Sequence, residues 1–276
     1  MIRIEDISEK NLEDVFNICS SNRTFAPMDD PILEKAKELK RRWLLDMLKK
    51  HGPCTKIAYL DGRTVAQIAF YPEETIPYIH DPRKDVVNLQ CIYNPFPEAQ
   101  RKGVGATLMK ALVDECNTGL DCLGGRPCSF VVTRPFPHEG DLSFSEFYEK
   151  YGFRQGPQEM FLEIKEKYVP REIHEYLQLP EDRGRIIILY NPACEWGYFI
   201  AFKMKELLKG IDLVPSTEIF NIWERPEGFL KRPLQRVISG RVIVNGQLIK
   251  GVSFWTDREA FCREVKEALR DSTRTT

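Results

Sequence analysis

Gln100-Arg101-Lys102-Gly103-Val104-Gly105-Ala106 follows an extended apolar run, Val86 to Tyr93, and opens a helical periodicity that continues from Ala106 to about Asn117. Two glycines and two cations therefore stand where a strand hands over to a helix. Backbone N–H groups at a helix start lack internal partners, and the helix dipole favours negative charge there. Gly103 and Gly105 let a ligand approach the backbone, because no Cβ intervenes. Arg101 and Lys102 add positive charge, and the arginine can fork onto a phosphate. The stretch reads as an anion cradle. A glycine pair before a helix is, on its own, more often only the mark of a tight turn.

Outward from this turn, the N-terminal half alternates short strands and helices. Ile2 to Ile7 reads as a strand. Ser8 is placed to cap a helix to about Ser20, and Pro31 opens a second helix to about Lys50. Lys56 to Leu60 and Thr64 to Tyr71 read as strands joined by Asp61-Gly62, a two-residue hairpin signal. Downstream, Cys128 to Thr133 is an apolar strand, Ser143 to Tyr151 a short helix closed by Gly152, and Met160 to Ile164 a last strand. The order β, α, α, β, β, β, α, β, α, β implies a mixed α/β sheet with helices on both faces.

Two other phosphate motifs are excluded. A dinucleotide fingerprint needs a third glycine where Leu108 stands, and a P-loop needs a G-K-[ST] that is absent. What remains, Q-R-K-G-V-G-A after a strand, resembles motif A of the GNAT acetyltransferases. Phe147-Tyr148-Glu149-Lys150-Tyr151-Gly152-Phe153, with Tyr148 43 residues after Gly105, is similar to that family's motif B. The resemblance covers residues 1–165.

It implies a roughly seven-stranded sheet split between its fourth and fifth strands, with acetyl-coenzyme A in the split. The backbone of Cys91, Ile92 and Tyr93 would pair with the pantetheine arm. The N–H groups of Arg101, Lys102, Gly103, Val104, Gly105 and Ala106 would hold the pyrophosphate. Tyr148 matches the position of the general acid that protonates the departing thiolate. Beside the resemblance, Glu73 and Glu74 at the end of the third strand are candidates for the base that takes the amine proton. Members of the family often place an Asn before the motif B helix. This chain has none there, so Ser143 or Ser145 substitutes or the contact is absent. Phe136, His138 and Glu139 lie where acceptors usually enter; a lid without chemistry is the equal alternative.

Residues 166–184 read as a linker, with a short helix around Pro170 to Leu177. From Arg185 a strand, a cysteine-containing turn, a helix from Tyr198 to Leu208, a strand, a hairpin at Asn245-Gly246 and a terminal helix capped by Thr256 follow in thioredoxin-like order. Cys194 takes the redox position, where a helix N-terminus lowers a thiol pKa. Its partner is missing, with Asn191 and Gly197 at the flanking positions, and Ile238-Ser239-Gly240 stands where the fold's cis-proline belongs. The combination resembles the YoaP-type GNAT proteins. A recognition or dimerisation module, with a homodimer as its partner form, is favoured over a lone reactive thiol.

Composition fits this division into 1–165, 166–184 and 185–276. Residues 183–276 carry 16 basic against 11 acidic side chains, and residues 1–182 carry 24 against 30, for a chain total of −1. Bulk nucleic-acid binding is disfavoured at that charge. No signal peptide or membrane-spanning run is evident, so a cytoplasmic location is expected. The eight cysteines form no C-x-x-C pair, and no metal is expected. The leading expectation is an N-acetyltransferase acting on a small-molecule or peptide amine. The alternatives are a non-catalytic acyl-coenzyme A sensor and a redox protein acting through Cys194.

Overall fold

The computed structural model describes residues 1–21, 29–135, 143–172, 176–210, 216–231, 241–249, 254 and 257–270. The chain forms two compact units, Met1–Met28 with Leu44–Glu172, and Asp29–Trp43 with Ile173–Thr276. The first boundary lies past residue 165, and the segment 29–43 groups with the C-terminal residues, which the linear reading had not separated from the N-terminal half.

The first unit carries β1 (Ile2–Asp6), α1 (Leu12–Cys19), the second half of α2 (Pro31–His51), β2 (Thr55–Leu60), β3 (Arg63–Pro72), β4 (Val87–Tyr93), α3 (Val104–Thr118), β5 (Phe130–Thr133), α4 (Phe144–Glu149), β6 (Arg154–Gln155) and β7 (Met160–Glu163). Its sheet runs β1-β2-β3-β4-β5-β7-β6, and β4–β5 is its parallel pair. Alternation along β3 separates the faces. Ala66, Ile68 and Phe70 join Leu108, Met109 and Leu112 of α3 in the main core, while Gln67 turns the other way and donates to the Cys19 sulfur of α1. Each fully buried Leu or Ile in that core contributes about 1.5–3 kcal/mol.

Asp61 and Gly62 both take positive φ, as a type I′ turn requires, and so do Asn245 and Gly246. Four local features differ from the sequence reading. Ser8 does not cap α1. Its own N–H donates to Asn11 Oδ1 at 2.7 Å, and the helix starts at Leu12. The strand β6 is two residues long, too short to show a period. Among the described residues, 170–172 and 176–177 are not helical. The chain instead runs along the sheet, where Tyr168 stacks on Phe161 at 4.0 Å and Arg83 donates to the Val169 carbonyl at 2.7 Å. The fourth concerns α5, below.

Cys116, Cys122 and Cys128 meet Cys54 in the interior. The Cys54 thiol bonds Cys122 and the Cys116 thiol bonds Cys128, and these bonds, together with burial, push the pKa of Cys54 and Cys116 far up. All the cysteines are free.

The second unit holds the first half of α2, β8 (Ile186–Tyr190), α5 (Glu195–Leu208), β9 (Thr217–Asn221), α6 (Pro226–Leu230), β10 (Arg241–Val244), β11 (Gln247–Ile249) and α7 (Arg258–Arg270). The sheet order is β11-β10-β8-β9, with β8 and β9 parallel. The helix α5 begins at Glu195, earlier than the expected Tyr198, which makes Cys194 its N-cap. Thr256 and segment 238–240 lie outside the described residues. No helix among the described residues is long and apolar enough to cross a membrane.

Candidate active site

β4 carries one extra residue. Ala69 pairs with Cys91 and Phe70 with Leu89, so Gln90 forms a bulge. On its other side β4 meets β5 only over Val87–Leu89, because β5 ends at Thr133. Among the described residues no strand pairs β4 from that side beyond Leu89. Four residues, Gln90 to Tyr93, thus present an edge of backbone donors and acceptors. At about 3.3 Å per residue this edge is roughly 13 Å long.

Tyr148 sits where the two strands part. Its ring is 2% exposed and packs among Phe144, Phe147 and Phe153, at centroid distances of 6.2, 5.7 and 5.3 Å. Its hydroxyl is hydrogen-bonded to Thr133, whose Oγ1 donates in turn to the Leu89 carbonyl at 2.9 Å. Burial pushes the phenol pKa well above the ordinary value of 10.0; the Thr133 bond works against this, and nearby Cys91 adds to it. The phenol is therefore held as an O–H donor. Thr133 escaped the sequence reading, since the last residue of an apolar strand carries no local sign of its partner.

At the far end of the open edge, the chain turns through a 3₁₀ segment, Pro97–Ala99, and enters α3. Asn94 pins this loop by donating to the Ala99 carbonyl at 3.2 Å and accepting from the Phe96 N–H. Arg101 has φ +59 and Gly103, the N-cap, has φ +80. Nothing lies within 4 Å of a Cβ built on Gly103, so the requirement there is conformational and the space above the turn is open. A Cβ on Gly105 would stand 3.4 Å from the Phe147 ring, which brings the helix start close to α4. Arg101, Lys102, Gly103 and Ala106 are exposed, and Val104 is buried beneath them.

α4 is positioned by a capping box. Ser143 Oγ accepts from the Glu146 N–H at 3.2 Å, and the Glu146 carboxylate accepts from the Ser143 N–H at 2.8 Å. The Ser143 hydroxyl is thus committed to holding Tyr148's helix, whereas Ser145 is half-buried. Phe136, His138 and Glu139 lie outside the described residues.

The glutamate pair divides, with Glu73 buried and Glu74 exposed. Glu73 is 0% exposed and grips Arg83 with both oxygens, at 2.8 Å to Nε and 2.7 Å to Nη2. Arg83 also bonds Glu159 at 2.7 Å, and Arg171 bonds Glu159 at 3.0 Å. Burial raises the Glu159 pKa, but Arg171, Arg83 and Arg134 more than offset it and the net shift is downward. This network anchors residues 168–171 to the sheet and removes Glu73 from the candidate bases. Glu74 is exposed and accepts from the Asp85 N–H at 3.2 Å.

Cys194 does not gain the lowered pKa that a helix N-terminus can give. Burial pushes its thiol pKa up, helped by Glu195, and the opposing pull of Lys40 and of the Trp196 and Gly197 N–H groups does not reverse the shift. Burial outweighs the helix N-terminus, so no thiolate is favoured there.

No protein-family model matches the chain, and no curated protein matches it. Among solved structures it is similar to Ard1 from Thermoplasma volcanium, with 17% identity and a TM-score of 0.41 over 59% of this chain and 97% of that one. A GNAT family acetyltransferase from Brucella melitensis in complex with acetyl-CoA shares 18% identity, with a TM-score of 0.39 over 59% and 88% of the two chains. The PaiA N-acetyltransferase from Thermoplasma acidophilum in complex with coenzyme A shares 17%, with a TM-score of 0.40 over 61% and 99%.

Proposed function

We propose that the first unit is an acyl-coenzyme A-dependent N-acetyltransferase of the GNAT type, moving an acetyl group to a primary amine by direct attack. The observation that carries this reading is one continuous feature. An open β4 edge runs from the Tyr148–Thr133–Leu89 bonds, where the sheet parts, to the open, basic N-terminus of α3.

The residues present fit the cosubstrate. Backbone groups of Cys91, Ile92 and Tyr93 are placed to pair with pantetheine amides as an added strand would. The first-turn N–H groups from Gly103 to Ala106, with Arg101 and Lys102, suit a pyrophosphate. Acetyl-coenzyme A supplies the acetyl group already activated as a thioester. The amine nitrogen forms the new C–N bond as the C–S bond breaks, and Tyr148 gives its phenolic proton to the leaving sulfur. A backbone N–H at Cys91 or Ile92 is in the region where the carbonyl oxygen gains charge. Glu74, the accessible member of the pair, is left to pass the ammonium proton to solvent. Much of the rate comes from holding two substrates in line.

The second unit reads as thioredoxin-like. Its parallel β8–α5–β9 crossover, antiparallel hairpin and terminal helix, in the sheet order β11-β10-β8-β9, support that reading. Cys194 has Asn191 and Gly197, not cysteine, three residues to either side and its thiol pKa is raised, so a dithiol activity is not part of this reading.

The test is purified full-length protein incubated with acetyl-coenzyme A and a panel of small-molecule and peptide amines, with free coenzyme A and acetylated product counted chromatographically. Product formation that depends on Tyr148 is expected. Tight binding of acetyl-coenzyme A with no product across the panel would replace the enzyme reading by a sensor.

A further inference from the structure

We propose that the amine acetylated by the first unit carries a carboxylate, and that the Arg134 guanidinium, just past the end of β5, receives it. The inference rests on the acetyl-transfer reading and names the class of acceptor for that site.

Successive residues of β5 look to opposite faces of the sheet. Val131 packs in the main core with Tyr148, and Thr133 bonds the Tyr148 hydroxyl on that side. Val132 packs on the other face, with Val86 and Phe130. Arg134 continues the Val132 side. Arg83, which lies over the Phe130 ring at 5.1 Å, meets Arg134 at Glu159, where Arg134 Nη2 is 3.5 Å from Oε2. Core side chains and α3 fill the Tyr148 face, and the anion-binding turn stands at the start of that same helix. An amine therefore reaches the parting of β4 and β5 from the Arg134 face. Along β4, half-buried Cys91 and Tyr93 stand opposite Ala69 and Gln67 on this face. Thr133 and Arg134, about 3.8 Å apart along the backbone, thus place the acid on one side of the parting and a cation on the other.

The charges on this face do not cancel. Among the described residues the cluster holds three guanidinium groups, Arg83, Arg134 and Arg171, against two carboxylates, Glu73 and Glu159. Arg83 takes both oxygens of Glu73, and Glu159 is bonded by Arg83 at 2.7 Å and by Arg171 at 3.0 Å. One positive charge is left over. Donors also outnumber acceptors, since among the described residues Arg171 Nε is buried with no hydrogen-bond partner. The surplus falls to Arg134. Its side chain is 30% exposed, against 12% for Arg83 and 15% for Arg171, and its contact with Glu159 is the longest of the three. A partly buried cation without a matching anion carries a desolvation cost that an incoming anion relieves. A carboxylate fits the planar guanidinium fork with two parallel hydrogen bonds. The Glu159 contact already orients the guanidinium, so little side-chain freedom is lost on binding.

Steady-state acetylation by the full-length protein of amine pairs that differ in one group tests this. The pairs are α-, β- and γ-amino acids against their carboxamides, and peptides with Asp or Glu at the second position against Asn or Gln, compared at equal free-amine concentration. The wild type is expected to favour the carboxylate member of at least one pair by roughly ten- to a hundredfold in kcat/KM, and the pair that shows it tells a free amino acid from an acidic peptide. In Arg134→Met that ratio is expected to fall to about one, mainly through KM for the amine, while Arg134→Lys keeps an intermediate ratio because an ammonium retains the charge without the fork. A purely structural Arg134 would slow both members of a pair alike and leave the ratio standing, which would overturn the assignment. Should Arg134→Met lose the far-ultraviolet circular dichroism of the wild type, Arg134→Gln is read in its place and must collapse the ratio in the same way. Acetylation by the wild type without regard to the carboxylate overturns the inference and leaves the acetyl-transfer reading standing. No product from any amine overturns both.

Discussion

Tyr148 joins a ring locked by three aromatic neighbours to a hydroxyl held at the parting of β4 and β5. Replacing it with Phe keeps the packing and removes the proton. In Tyr148→Phe, kcat is expected to fall by about 10²-fold or more, with KM for acetyl-coenzyme A little changed, as steady-state coenzyme A release would show. Because burial raises the phenol's pKa, the acid form persists above its ordinary value of 10.0. The alkaline limb of the wild-type kcat profile is therefore expected above that value; a limb near neutrality would remove Tyr148 from the role. Gly103 gives a second residue-level test. Its φ of +80 disfavours any side chain by about 1–2 kcal/mol, so Gly103→Val should shift the turn and raise KM for acetyl-coenzyme A more than it lowers kcat. The glycine and the tyrosine were legible in the sequence because each sits in a local pattern. Thr133 was not, because only strand pairing puts it opposite Leu89.

At the scale of elements, two devices hold the site in place. The capping box fixes the start of the six-residue α4, and Ser143→Ala is expected to cost about 1 kcal/mol and to speed amide exchange through that helix. An effect on KM for acetyl-coenzyme A with exchange unaltered would instead assign Ser143 to the ligand. The Arg83–Glu73–Glu159–Arg171 network binds the segment after β7 to the sheet. Arg83→Ala strands two buried carboxylates and should destabilise the first unit by about 3–5 kcal/mol. The folded pKa of Glu159 is lowered, so its stabilisation is present above the unfolded glutamate value of about 4.3 and is lost as pH falls through the folded value. Amide exchange in β3 and β4 should therefore accelerate below about pH 4.3, and Glu159→Gln should flatten that dependence. A pH response of the variant identical to that of the wild type would contradict this account. Here the sequence misled. Glu73 read as a candidate base, and nothing near it announces an arginine ten residues on or a glutamate beyond it.

Across the whole molecule, all four tryptophans, 43, 196, 223 and 255, fall within the residues of the second unit, so tryptophan emission reports that unit's unfolding. Urea titration of Glu195→Ala is expected to show a loss of about 3–5 kcal/mol, because Lys40, its partner at 2.9 Å, is left buried without its counter-ion. Lys40→Met combined with Glu195→Leu should recover most of it, since an apolar pair of similar volume avoids both desolvation costs. Equal losses in the single and double variants would mean that the pair is not coupled. The sequence by itself determined most of the order of elements, both two-residue hairpins and the glycine turn that opens α3. These depend on periodicity, on backbone-permissive residues and on a helix start, which are properties of short segments. Only the tertiary structure decided that the β4 edge stays open, that Glu73 is spent on Arg83, and that Lys40 meets a carboxylate 155 residues away. Burial and ion pairing depend on which distant segments return to the same place, and no local pattern in a single chain carries that information.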